Sequence, residues 1–169
     1  NPIASQMSVM RSSLIGGLVA NLATNRKRQI ERVRVFEIGR SFVRDSEGDA
    51  VVGFRQPMRL AGLAAGTALP GQWGSSARDI DFFDVKADVE SLFAAGSLRW
   101  ERVAHPALHP GRAASVMLGA RNIGVVGELH PRWVQKYELG KAPVVFELDL
   151  NAVLQAGVPI YQPVSNFPA

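Results

Sequence analysis

The chain has 169 residues, 47% of them hydrophobic and 20% charged, with a formal net charge of +4 and no cysteine. That is the profile of one ordinary globular domain, not of a fibrous or disordered chain; it can bury roughly two thirds of its unfolded surface without a metal or disulfide staple. The missing cysteine excludes disulfides, thiolate zinc sites, iron–sulfur clusters and cysteine nucleophiles, and fits a reducing compartment.

No apolar run is long enough to span a bilayer, so no membrane role is expected. The chain opens Asn1-Pro2-Ile3 without an initiator methionine or signal-peptide pattern, and reads as a piece of something longer. Its basicity is local. Arg11 to Arg44 holds eight Arg and Lys against two Glu, whereas the rest of the chain from Asp45 holds eleven against thirteen acids. A nucleic-acid argument from overall charge would therefore mistake one segment for the whole.

In chain order, Ser8 to Arg28 reads as a helix. Met10, Leu14, Leu18 and Leu22 step by four, with Ile15 and Val19 widening the stripe. Ser13, Gly17 and Ala20 form a second face of small residues beside Ser12 and Gly16. Adjacent glycines inside a helix cost about 1 kcal/mol each relative to alanine, a cost that close approach of another helix would offset. Arg26, Lys27 and Arg28 close the helix with cations where its dipole favours them.

Arg32 to Val43 alternates, placing Arg34, Phe36, Ile38, Arg40 and Phe42 on one face of a long strand. A polar loop, Asp45 to Gln56, leads to a second strand at Met58 to Ala65. After a Gly/Ser/Pro connection, Asp81 to Ala95 is an amphipathic helix with Phe83, Val85, Val89, Leu92 and Phe93 on its apolar side and Gly96 as its cap. Short strands follow at Leu98 to Val103, Ala114 to Leu118, Ile123 to Leu129 and Val144 to Leu150. Pro131 to Leu139 and Asn151 to Ala156, the latter capped by Asn151, are short helices. Pro159 to Ala169 reads as a linker. The order predicts an α+β domain built on a mostly antiparallel sheet flanked by helices.

Chemistry is sparse. His105 and His109 are spaced by four, but their prolines argue for a loop rather than a metal-binding helix face, and no metal site is expected. Ser12, Ser13, Ser75 and Ser76 have no nucleophile context. Gly124-Val-Val-Gly127 lacks phosphate-loop spacing. Asp79 and Asp81, like Asp84 and Asp88, sit where a helix start favours anions, so capping outweighs acid–base catalysis.

Met10-Arg11-Ser12-Ser13-Leu14, Gly17-Leu18 and Asn21, after Asn1-Pro2, resemble the opening of the core domain of bacterial phenylalanyl-tRNA synthetase β chains. Phe36-Glu37-Ile38-Gly39-Arg40-Ser41-Phe42 resembles that family's most recognisable strand. Asp81-Phe82-Phe83-Asp84-Val85-Lys86, His109-Pro110-Gly111-Arg112-Ala113-Ala114, Gly127-Glu128-Leu129-His130-Pro131 and Phe146-Glu147-Leu148-Asp149-Leu150 follow in the family's order. Ser165 to Ala169 is similar to the start of its next module, a ferredoxin-like anticodon-binding domain.

The resemblance implies a class II synthetase-like core without catalytic residues over 1–158, followed by linker and the next domain at 159–169. It implies a cytoplasmic α2β2 heterotetramer in which the α subunit performs the ATP- and magnesium-dependent attachment of phenylalanine to tRNA, with no cofactor held by this segment. The editing and magnesium-linked regions lie elsewhere in the family's β chain. A helix bundle with the α subunit would engage Met10, Ser13, Leu14, Gly16, Gly17, Leu18 and Asn21. Inactivity agrees with the last strand, Val144 to Asp149, which lacks the glycines and arginine of an ATP-binding class II strand. Two rivals remain: a tRNA-binding module contacting phosphates through Arg26, Lys27 and Arg28, with Arg32, and a surviving ATP site built on Arg34 and Glu37.

Overall fold

The computed structural model describes residues 9–45, 53–74 and 76–157. Its core is a six-stranded, wholly antiparallel sheet. In spatial order the strands are β1 (Val33–Arg40), β4 (Met58–Ala65), β8 (Val144–Asp149), β7 (Arg121–Leu129), β6 (Leu108–Leu118) and β5 (Leu98–Arg102). A second, two-stranded sheet pairs β2 (Val43–Arg44) with β3 (Phe54–Arg55). Four helices complete the described residues: α1 (Ile15–Lys27), α2 (Phe82–Glu90), α3 (Pro131–Lys136) and α4 (Leu150–Gln155).

Alternation along the strands gives the sheet two apolar faces, each needing cover. On the first, Ala61, Leu63 and Ala65 of β4 and Val145 of β8 meet Leu14, Ile15, Leu18, Val19 and Leu22 of α1 and its entry, with Trp133 and Val134 of α3 at the margin. On the second, Ala64, Val126, Val144 and Leu148 meet Val85 and Val89 of α2, Phe93 beyond it and Ala152 of α4. Glycines let the strands pack. A Cβ at Gly62 would collide with the ring of Phe146 on the neighbouring strand, and one at Gly127 with the backbone of Arg112 and Ala113.

The structure shortens several expected elements. The first helix begins at Ile15 rather than Ser8, so Met10 lies in a non-helical strap. The cause is tertiary: the Arg11 carbonyl accepts a hydrogen bond from the Phe42 N–H at 2.8 Å, and the Arg11 Nε donates to the Arg40 carbonyl at 3.0 Å. Those bonds hold residues 11–13 against β1 instead of letting them coil. The long strand breaks after Arg40, where the Ser41 N–H turns to the Pro57 carbonyl, and the ends of the expected 45–56 loop pair as the β2–β3 hairpin.

The second helix ends at Glu90, so Gly96, at φ +74°, serves the turn into β5 and not the helix end. Phe83, expected inside, is 71% exposed, because Asp81 caps the helix and turns Phe83 outward. Strand β6 begins at Leu108, within the expected histidine loop, and slips register between Leu108 and Ala113. The last helix is capped by Asp149, two residues before the expected Asn151, whose N–H the Asp149 carboxylate accepts. The expected linker and domain boundary beyond residue 157 lie outside the described residues.

Candidate assembly site

Helix α1 presents two unlike sides. Leu14 is 0% exposed and Leu18 4%, both inside the chain's own core, while Gly16, Gly17, Ala20 and Asn21 are exposed. Of the seven candidate interface residues, then, Leu14 and Leu18 are spent on folding. Met10, Gly16, Gly17 and Asn21 face outward, and Ser13 is half-buried at the helix entry. A Cβ added at Gly16 would meet nothing within 4 Å, and one at Gly17 only Glu37 Oε2 at 3.6 Å. Nothing among the described residues requires either glycine to be bare.

The start of α1 is pinned to the sheet. The Glu147 carboxylate of β8 accepts from the Leu14 N–H at 2.7 Å and from the Ser13 hydroxyl at 3.2 Å, and the Ser13 Oγ accepts from the Ile15 N–H. A carboxylate there satisfies otherwise orphaned donors and complements the positive helix end. Arg11, ion-paired with Glu37, lies over Gly39, where a Cβ would overlap its guanidinium. The strap, α1 and β1 are thus fastened as one unit.

Strand β1 is the sheet's edge, so one side of its backbone has no partner in the six-stranded sheet. Its outer face carries Phe36, 72% exposed, and Ile38, 51% exposed, between Arg34 and Arg40. Gly17 approaches Glu37 on the same strand, so the bare helix lies over one face of this edge strand while Phe36 and Ile38 lie on its opposite face. Alternation had placed Phe36 and Ile38 beside two arginines, the signal that this face looks outward.

The remaining candidates separate. Arg34 and Glu37 project to opposite faces of β1. Arg34 bonds Asp88 at 2.8 Å and Glu37 bonds Arg11, so they do not converge on an ATP site. Lys27 and Arg28 are exposed at the end of α1 and Arg26 is half-buried, but Arg32 is engaged by the Thr67 and Ala68 carbonyls. Asp81 and Asp84 form a reciprocal capping box, as the helix-start reading requires. The Arg78 guanidinium bonded to Asp84 holds that carboxyl down at about 2.

All three histidines share one device. His105, His109 and His130 each precede a proline, and each Nδ1 accepts the backbone N–H of the residue after it: Ala107 at 3.3 Å, Gly111 at 3.0 Å and Arg132 at 3.1 Å. Proline removes the intervening N–H, and the imidazole takes the capping place that aspartate or asparagine often fills. Burial lowers the His105 pKa, only partly opposed by the charge of Glu147. Among the described residues no cluster of His, Asp and Glu is arranged to hold a metal, and no helix is long and apolar enough to cross a membrane.

The fold is similar to that of a pyrrolysyl tRNA synthetase from Desulfitobacterium hafniense, with a TM-score of 0.58 at 19% identity over 86% of this chain and 49% of that one. The phenylalanine–tRNA ligase beta subunit of Aromatoleum aromaticum is 64% identical over 169 residues, 100% of this chain and 21% of that protein. Those of Dechloromonas aromatica and Neisseria meningitidis are 61% and 51% identical, each over 99% of this chain. The chain therefore spans about a fifth of the length of these curated relatives. The family model described as the phenylalanyl tRNA synthetase beta chain CLM domain matches residues 1–150, and the chain belongs to that family.

Proposed function

We propose that this chain is the assembly core of a phenylalanine–tRNA ligase β subunit, a class II synthetase-like sheet that builds the enzyme without performing its chemistry. One observation carries the reading: the bare face of α1 and the exposed Phe36 and Ile38 adjoin the unpaired edge of β1. An apolar patch beside an open strand edge is costly in water and marks a surface built to be covered. We infer that the partner is an α chain, in an α2β2 enzyme of the cytoplasm; the relatives' name, beta subunit, supports an enzyme of unlike chains.

In this proposal attachment of phenylalanine to tRNA, with its ATP and magnesium, belongs to the whole enzyme. Among the described residues Arg34 and Glu37 diverge, and Glu147 of the final strand is engaged by the start of α1, which supports a core without an ATP site of its own. The exposed Lys27 and Arg28 support only peripheral contact with tRNA phosphate.

The test is substitution of the notch in the full-length β chain. Gly17→Leu should block copurification with the α chain. Gly16→Ala should raise the stability of this chain alone by roughly 0.5–1 kcal/mol, since helical glycine is disfavoured and the added methyl meets open space. A Gly17→Leu chain that still assembles normally would remove the helix from the interface. Loss of tRNA affinity with intact assembly would favour the RNA-binding alternative.

A further inference from the structure

The three histidine turns are built alike but not placed alike. The amides that His109 and His130 hold, those of Gly111 and Arg132, are exposed, and water can replace either imidazole. The amide that His105 holds belongs to Ala107, half-buried against the core, and the next residue, Leu108, is 1% exposed. This turn is also the seat of α3. The Leu108 N–H closes it by donating to the His105 carbonyl at 3.0 Å, and the His130 N–H donates to the Ala107 carbonyl at 2.8 Å. The side chains of Arg132 and Trp133 both donate to the Pro106 carbonyl.

We propose that His105 is a proton-operated fastener: neutral, it holds the 105–108 turn against α3 and leaves Glu147 to the start of α1; protonated, it releases the turn and competes for Glu147.

The first half follows from the ring's hydrogen bond. An Nδ1 that accepts carries no proton, so the bond from the Ala107 N–H exists only while the ring is neutral and protonated on Nε2. Protonation turns that acceptor into a donor facing a donor. The Ala107 amide then loses its partner where water is scarce, a cost that its exposed counterparts at Gly111 and Arg132 escape.

The second half follows from what surrounds the ring. Glu147 of β8 lines the same cleft as His105, and its charge favours the imidazolium. That carboxylate accepts from the Leu14 N–H and the Ser13 hydroxyl, so a new cation beside it draws on the acceptor that pins α1. The other titratable groups around the ring are Arg55 of β3, Arg59 of β4 and Asp149 of β8 along the cleft, and Tyr137 of α3. The arginines disfavour a further cation, and Asp149 is already bonded to Arg121 and to the Asn151 N–H. Burial outweighs Glu147 and keeps His105 below its ordinary 6.5. A base depressed in this way contributes its stability in full above 6.5 and loses it as pH falls through the folded value.

Hydrogen exchange of the full-length β chain at about pH 7.5 and about pH 5, corrected for the intrinsic pH dependence of exchange, reads the fastener directly. Peptides covering 105–108, 131–139 and the start of α1 should each lose protection about tenfold at the lower pH, roughly the effect of one lost hydrogen bond. A peptide from the middle of β6, 113–118, should keep its protection. His105→Asn retains an acceptor for the Ala107 N–H but takes up no proton, so it should level the three responses to less than about twofold. Protection at 105–108 or at the start of α1 that is indifferent to pH, or a His105→Asn chain that responds as the unaltered one does, would each overturn the proposal. Should His105→Asn fail to fold, the unaltered chain decides: a loss confined to the three segments supports the fastener, and a loss shared by 113–118 is general acid unfolding and refutes it.

Discussion

At one end of the six-stranded sheet lies β5, five residues long, with Arg99, Glu101 and Arg102 turned to solvent and Trp100 covered by Lys86 of α2. At the other end lies β1, eight residues long, with Phe36 and Ile38 exposed at its centre. Both are edges with open backbone groups, and natural sheets usually protect such edges by shortness and charge. The first edge is protected in that way and the second is not. The teaching is that the apolar exposure at β1 is placed, because the same chain shows at β5 how it guards an edge that is to stay in water.

Changes on the two edges should therefore have unlike consequences. The largest effect is expected from Phe36→Glu. Placing a charge at the centre of an apolar contact should weaken capture of the α chain about a hundredfold or more, as hot-spot losses do. The melting temperature of this chain should barely move, since Phe36 is 72% exposed. Arg99→Glu on β5 should change neither quantity; equal losses of assembly from the two edges would erase the distinction between them.

A middle-sized effect is expected where the assembly edge is fastened to the sheet. Glu147→Ala removes the acceptor for the Leu14 N–H and the Ser13 hydroxyl, and should cost about 1–2 kcal/mol in denaturant unfolding, as lost helix caps do. It should also weaken assembly through the displaced start of α1. An unfolding curve superimposable on that of the unaltered chain would show that the strap is held by Arg11 alone.

The smallest effect lies at α2, away from the assembly edge. The Arg78 guanidinium depresses the Asp84 carboxyl from an ordinary 3.8 to about 2. A depressed carboxylate stabilises the fold above its unfolded pKa and loses that contribution as pH falls through the folded one. Asp84→Asn should thus be slightly less stable than the unaltered chain at neutral pH, with the difference closing between pH 3.8 and about 2. Melting curves across that range check it, and assembly should be indifferent to the change.

Local chemistry was decisive for much of this molecule. The alternation of β1, the full extent of β4 from Met58 to Ala65 and the Asp81 capping box follow from period, turn residues and side-chain reach over a few positions. The Leu14–Leu18–Leu22 stripe and the bare glycines of α1 were equally visible. Which side turned inward was settled only when Ala61, Leu63 and Val145 were brought beneath the leucines.

What the tertiary structure alone decided are matters of long separation along the chain. Glu147 accepts from the Leu14 N–H, 133 residues earlier, at the start of α1, and Arg11 halts helix formation by bonding to residues of β1. Phe83 is turned outward although its spacing read as buried, and Arg34 finds its partner Asp88 on α2. Periodicity records what a residue's neighbours along the chain favour. The charged and capping groups of this protein instead answer to partners that only the closed sheet brings within reach.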